Sequence, residues 1–546
     1  MSKIRLNHAR TRFQADQPLS VSVFNPKSSQ GKSTSEVNSE SIHTELSINV
    51  LLRMKSNPND KKELLELCKH EYRKDDKEMA IIYEFEKNYL PDQAIWWYTR
   101  ESFLYKLLNK ALRTRNIDLL YLFRFFIADI ERQLDLNKCS KPVCVYRGQL
   151  ISNEELMILQ ESVGKLISIN SFLSTSIDKE QALVFLDDIE IPEGLQSILF
   201  IIIADPRLVG AKPFANVTQL SYFSAEEEVL MMIGSIFRIL DVSRHQKLWH
   251  IKVELSSDQD HELKPILEHM KIRYGGGVGQ TDLLSFGAVL GNMGKFDDAE
   301  KYFHRLLTEL PDGHDGIADC YHNLGEIAAE KGDYQKSLGF YKKSLQIQRQ
   351  KLKSNDLHLA ESYNSIGVVY RKIGDHQMAL ESYFEAFDIY RRASAENDSR
   401  AAQCLNNIGN IYQIQKRYTE ALNHYEKALA IQKKHLPSDY PDLGFSYSNI
   451  GNVYQCLNNP SRAFEHYQES LRILEKSLPS EHPSISMTLK NMGIVFEDQG
   501  NYQQALVYFE RAAKIRRAAL PANHPSIHLI DEDIRRVKIE LSKFIR

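Results

Sequence analysis

Several features that would classify a chain quickly are missing from this one. Its six cysteines (Cys68, Cys139, Cys144, Cys320, Cys404, Cys456) are scattered over 546 residues. They have neither the paired spacing of a zinc site nor the density of a disulfide scaffold. A formal net charge of -3 excludes the basic balance that accompanies nucleic-acid or anionic-membrane binding. The longest strongly apolar run, "ILFIIIA" at 198–204, falls far short of the roughly 20 residues a spanning helix needs. The opening "MSKIRLNHARTRFQADQPLS" is charged and polar, without the apolar core of a secretory signal. The expectation is an intracellular, cytoplasmic protein with reduced thiols and no nucleic-acid or membrane partner. Nothing calls for a metal.

What is present is ordinary in bulk and informative in arrangement. The chain is 42% hydrophobic and 26% charged, as globular proteins are. It is too long for one hydrophobic core, so two or more domains are expected. Residues 1–45 are rich in Ser, Asn, Lys and Gln and read as a flexible tail. Within it "QGKST" (30–34) ends like a phosphate-binding loop, but Pro26 stands where the loop needs its first glycine. From 46 to about 135 apolar residues recur at spacings of three and four, as in "AIWWYTRESFLYKLLNKALRTR" (94–115) and "NIDLLYLFRFFIADIERQL" (116–134). After Pro142 the texture becomes β-branched and aromatic through "VCVYRGQL", "LISINSFLSTS", "QSILFIIIAD", "EEEVLMMIGSIFRIL" and "KLWHIKVEL". Helices followed by strands predict an α+β domain over 46–260. "GGGVG" (275–279) lacks the context of a phosphate loop and reads as linker, within 261–280.

The remainder, 281–546, repeats. Gly325, Gly367, Gly409, Gly451 and Gly493 are each 42 residues apart. Sixteen residues after each glycine stands an aromatic (Tyr341, Tyr383, Tyr425, Tyr467, Phe509), and nineteen after it a small residue (Ser344, Ala386, Ala428, Ser470, Ala512). Small residues there let helices approach, and the aromatics fill the space between them. An earlier unit fits with Gly287 and Phe303, which predicts six helix pairs and a C-terminal helix stacked as an all-α solenoid. Cys320 and Cys404 share one repeat position and are expected to be packing residues. The pattern, with its "LPSDYP", "LPSEHP" and "LPANHP" connectors, resembles the tetratricopeptide repeat of kinesin light chains. That resemblance implies a protein or peptide ligand on the concave surface.

Three short motifs mark the α+β domain. "VYRGQL" puts Arg147 at the end of a short strand, "SFLSTS" carries Ser174, Thr175 and Ser176, and "FSAEEEVLMM" (223–232) drives three glutamates into an apolar strand. On a strand Glu226 and Glu228 share a face, whereas Glu227 points the other way and is expected to be solvated. Both faces beyond them are apolar, so the strand should be internal, with its acidic end at a cleft. Taken singly, each motif also fits a surface charge, a turn or a solvated strand end.

Taken in order, Arg147, Ser174 and the E-x-E pair resemble the arginine-specific mono-ADP-ribosyltransferases of the R-S-E class, found in clostridial binary toxins and vertebrate ecto-enzymes. The resemblance covers roughly 75–255. It implies an α+β transferase fold, with a helical lobe lying over an NAD cleft and a β-sandwich core. It also implies NAD as co-substrate, release of nicotinamide, and transfer to an accessible arginine of a protein. On this reading Glu228, Glu226 and Ser174 are catalytic, and Arg147, Gly148, Ser174, Thr175 and Ser176 contact NAD. Breaking the nicotinamide–ribose bond passes through an oxocarbenium-like centre, which a carboxylate stabilises electrostatically. Glu228 takes that role, Arg147 grips the pyrophosphate, and Ser174 holds Glu228 and the nicotinamide ribose in register. Glu226 orients the acceptor and removes its proton. Members of this fold lacking that glutamate use other acceptors, so Glu226 argues for arginine.

Before the E-x-E, "AKPFANVTQLSYF" (211–223) corresponds to the family's target-recognition loop. Tyr222 and Phe223 read there as target contacts or as buried aromatics at a strand start. "RES" (100–102) reads as an NAD contact or as a helix-face arginine paired with a glutamate. The signal sequences, disulfides and lipid anchors of secreted family members are not visible, so extracellular targets do not carry over. Two rivals share the sequence evidence: an NAD glycohydrolase with water as acceptor, and a repeat scaffold with a silent transferase domain.

Overall fold

The computed structural model describes residues 21–24 and 50–545, with 52, 55–56, 185, 187–190, 192–193, 224–226, 258, 261–280, 394, 396–397, 479 and 520–523 set aside. Most of the expected tail, the linker with its glycine cluster, and Glu226 therefore lie outside the described residues. The chain forms two compact units, and of the described residues the second holds those from Gly294 onward.

The first unit opens with helices α1 (Pro58–Glu71) and α2 (Asp76–Asn88), each started by a side-chain cap. Asn57 and Asp60 form a capping box on α1, and Asp75 accepts from the Glu78 N–H on α2. The run 94–115, continuous in periodicity, is two helices: α3 (Ala94–Thr99) and α4 (Phe103–Thr114). The break has a physical cause on α2. Buried Glu78 accepts from the Phe103 N–H (2.8 Å) and from Lys106 (2.9 Å), so a carboxylate caps the new helix end. Helix α5 (Ile117–Leu136) follows.

Among the described residues, nine strands form one hydrogen-bonded order, β1-β3-β8-β9-β5-β2-β4-β7-β6. They are β1 (Val21–Phe24), β2 (Val143–Ser152), β3 (Leu166–Ile169), β4 (Leu173–Ser176), β5 (Leu195–Ala204), β6 (Phe214–Asn216), β7 (Glu228–Met231), β8 (Ser235–His245) and β9 (Leu248–Leu255). Strand β1 falls inside the stretch read as a tail. Its alternating Val-Ser-Val-Phe suits a β-edge, and it pairs antiparallel with β3. The predicted run 226–240 is two strands, because Gly234 turns the chain at φ 72. Strands β2 and β4 meet at one pairing, Tyr146 with Ser176, against ten between β2 and β5. The sheet thus divides there into two parts, and both parts feed one apolar cluster. Val145 and Ile151 of β2 join Leu173 of β4 and Val229 and Met231 of β7 in it. Short helices α6 (Asn153–Gln160) and α7 (Lys179–Val184) flank the strands. Helix α8 (Leu283–Asn292) closes the unit, its Phe286 ring stacked on Tyr121 of α5 at 6.4 Å. The predicted first repeat is therefore divided, with Gly287 in the first unit and Phe303 in the second.

The second unit is a helical solenoid. Among the described residues it opens with α9 (Phe296–Glu309), five pairs then run from α10–α11 (Gly316–Glu330, Tyr334–Lys351) to α18–α19 (Pro483–Asp498, Tyr502–Ala519), and a final helix, α20, spans Pro525–Ile545. A methyl group built on Gly325, Gly367, Gly409, Gly451 or Gly493 would stand 2.6–2.8 Å from the aromatic sixteen residues later. Each glycine is thus the seat of a ring. Cys320 and Cys404 are fully buried, and burial pushes both thiols up to about 12. All six cysteines are free. No described helix is long and apolar enough to cross a membrane.

Candidate functional site

Strand β4 is the strand of its part of the sheet that meets β2, and its Ser174 touches both of the other motifs. The Ser174 hydroxyl donates to Glu228 Oε1 at 2.5 Å. Its backbone carbonyl accepts from Arg147 Nη1 at 2.8 Å. Register explains the first contact. Ser176 faces Glu228 across the β4–β7 pairing and Ser174 faces Leu230, so Ser174 and Glu228 are diagonal neighbours on one face. Glu228 is only 3% exposed, and a carboxylate so enclosed requires partners. Ser221 supplies another, a longer contact of 3.4 Å from its hydroxyl to Glu228 Oε2.

The other predicted residues divide by what their polar atoms do. Thr175 is buried and donates to the Val229 carbonyl at 2.7 Å, fastening β4 to β7. Ser176 donates to Gln181 Oε1 at 2.9 Å and accepts from the Asp178 N–H at 3.0 Å, which fixes the turn into α7. Both hydroxyls are thus engaged within the protein. Gly148 is required by crowding, since a methyl group there would lie 2.3 Å from the Ala182 carbonyl oxygen. Glu227 is exposed.

The segment before β7 is held at several points. Val217 donates its N–H to the Glu228 carbonyl (2.9 Å), and Ser221 donates its N–H back to Val217 (2.7 Å), closing a turn. The Tyr222 N–H donates to Thr99 Oγ1 on α3 at 2.8 Å. The Phe223 N–H donates to Ser221 Oγ at 3.2 Å. Tyr222 is 44% exposed, and its ring lies 5.2 Å from Trp96. Phe223 packs edge-on to Tyr222 and is partly covered. Arg100 pairs with Glu84 at 2.9 Å and lies over Trp96, Trp97 and Tyr222. The ion-pair reading of Arg100 is therefore the one the geometry favours, with a partner from α2.

Sequence reasoning missed Ser221, Thr99 and Gln149. Ser221 and Thr99 carried no signal, because only the folded turn brings them to Glu228 and Tyr222. Gln149 had one, since it stands two residues beyond Arg147 and so on the same strand face. Its Oε1 accepts from Arg147 Nε at 3.1 Å. Its Nε2 is buried without a hydrogen-bond partner, an arrangement that costs about 1–3 kcal/mol.

Chemically, the site sets a permanent planar cation and a buried carboxylate on one residue. Such a pair can hold an anionic group at one point and stabilise a developing positive charge at another. Among the described residues, no cluster of three or more His, Cys, Asp or Glu side chains is placed to hold a metal ion.

Residues 55–262 match the family profile described as NAD:arginine ADP-ribosyltransferase. Residues 280–518 match that of the tetratricopeptide repeat in five overlapping segments. No curated protein matched the chain. Among solved structures it is similar to BtubC (BKLC) from P. vanneervenii, at 22% identity over 42% of this chain and 92% of that one, with a TM-score of 0.37. It is likewise similar to a putative kinesin light chain from Podosopora anserina, at 23% identity over 37% and 96% of the two chains, with a TM-score of 0.34.

Proposed function

We propose that this chain, an NAD:arginine ADP-ribosyltransferase domain followed by tetratricopeptide repeats, transfers ADP-ribose from NAD to arginine side chains of a protein target. The observation that carries the reading is Ser174, whose carbonyl holds Arg147 at 2.8 Å and whose hydroxyl holds Glu228 at 2.5 Å. The residues suit NAD, which pairs a doubly charged pyrophosphate with a ribose that becomes cationic as its bond to nicotinamide breaks. NAD supplies the ADP-ribosyl group, and nicotinamide departs with the electron pair of that bond.

The protein's own residues then have distinct tasks. Arg147 holds the pyrophosphate through charge-assisted hydrogen bonds. Glu228, fixed by Ser174, stabilises the positive charge developing on the ribose. Glu226 orients the acceptor guanidinium and takes its proton as the new carbon–nitrogen bond forms. Thr175, Ser176 and Gly148 keep the strands in place around these groups, and Tyr222 offers an exposed ring to the target. The repeats hold the target, or a regulator, as a protein or peptide ligand.

Arginine as acceptor is tested by Glu226→Gln. Transfer to a guanidine acceptor should fall by about 100-fold, the scale of a lost general base, while release of free ADP-ribose persists. Equal loss of both reactions would contradict the role given to Glu226.

A further inference from the structure

We propose that Gln149 is a positioning residue for Arg147, holding the guanidinium at the angle at which it receives the pyrophosphate. This rests on the reading of Arg147 as the pyrophosphate-binding cation. Side chains of β2 alternate in direction, so Val145, Arg147, Gln149 and Ile151 share one face. Val145 and Ile151 belong to the apolar cluster of the domain. Two polar residues thus interrupt a stripe that the core would fill with aliphatic side chains. Gln149 is 1% exposed, and its Nε2 has no partner there.

The amide cannot be satisfied by turning it over. Arg147 only donates, so the atom facing its Nε must be the carbonyl oxygen. The amino group then points into surroundings that offer no acceptor. A glutamine kept for packing gains nothing from this arrangement, because an aliphatic side chain of the same length would fill the space without a stranded donor. What only the polar residue provides is the 3.1 Å acceptor for Arg147 Nε. With the Ser174 carbonyl at 2.8 Å from Nη1, the planar guanidinium is held by one acceptor from its own strand and one from the strand carrying the serine motif. The two anchors come from different strands and together set the angle of the guanidinium plane.

The test is a double-mutant cycle in the full chain. NAD affinity is measured by calorimetry in a Glu228→Gln background, which suppresses turnover. Gln149→Met, close in shape but without the acceptor, should weaken binding by about tenfold, equivalent to about 1.4 kcal/mol. Arg147→Ala should weaken it by at least as much, and Gln149→Met added to Arg147→Ala should change it less than about twofold. With Glu228 restored, Gln149→Met should raise KM for NAD while leaving kcat within about threefold, because the pyrophosphate grip serves ground and transition states alike. Its thermal melting should not fall, since the stranded donor is gone. An unchanged Kd for Gln149→Met beside a weakened Arg147→Ala overturns the proposal and spares the reading of Arg147. So do additive losses, or a clear drop in melting temperature that marks Gln149 as packing. If Arg147→Ala itself leaves NAD binding intact, the reading of Arg147 fails and the proposal with it.

Discussion

Buried polar groups in the solenoid come in copies. The hydroxyl of Tyr425 donates to Asn410 and Gln413, at 2.6 and 3.0 Å, and that of Tyr467 to Asn452 and Gln455, at 2.7 and 3.0 Å. Ser362 donates to Gln348 and Ser446 to Gln432, two periods apart. In the sheet domain Arg147, Gln149, Ser174 and Glu228 meet once. A contact that recurs at a fixed spacing serves what every repeat needs, which is the seating of one helix on the next. A polar group placed once on the face of a buried strand serves something the rest of the fold does not share. Periodicity thus separates packing from chemistry within one chain.

That separation can be broken by experiment, most sharply at the carboxylate. Glu228→Gln keeps the shape of the side chain and removes its charge, and nicotinamide release should fall by about 100- to 1,000-fold. Methyl groups added to glycines compare the two regions directly. Gly409→Ala meets the Tyr425 ring at 2.7 Å and Gly148→Ala meets the Ala182 carbonyl at 2.3 Å. Each should cost about 1–3 kcal/mol by urea unfolding, but only Gly148→Ala should also lower NAD turnover, since it displaces the strand carrying Arg147. Within the serine motif, Thr175→Val loses the bond to Val229 and should cost about 1 kcal/mol of stability with little change in kcat. Ser174→Ala should do the reverse, lowering kcat by about tenfold.

The smallest expected effect concerns pH and belongs to the solenoid. Hydrogen bonds from Lys331 and Lys336 hold the Glu300 carboxyl down from its ordinary 4.5 to about 2. A depressed carboxyl contributes stability that is present above 4.5 and lost as pH falls toward 2. Melting of the wild-type chain should therefore decline across that interval more steeply than melting of Glu300→Gln.

Much of this organisation was legible in the residues. The 42-residue glycine spacing identified the solenoid, because each repeat must solve the same packing problem with the same side chains. The transferase domain was legible through three motifs in order, which the fold gathers around Ser174. What escaped depended on contacts between distant segments. Nothing in "WWYTRES" announces that Glu78, 25 residues upstream of Phe103, caps a second helix there. Nor does "VTQLSYF" announce that Ser221 turns back toward Glu228. The tail hid a strand because four residues carry little composition of their own. Helix α8, read as the start of the repeats by its glycine, lies within the repeat match, and its Phe286 ring stacks on Tyr121.

The central claim is transfer of ADP-ribose to a guanidinium, and one incubation addresses it. Purified chain and its Glu228→Gln variant are each given NAD and agmatine, a small guanidine acceptor, and the products are separated by mass. The account predicts ADP-ribosyl-agmatine and free nicotinamide from the unaltered chain, and neither from the variant. Free ADP-ribose without the agmatine adduct, or equal product from both proteins, would contradict it.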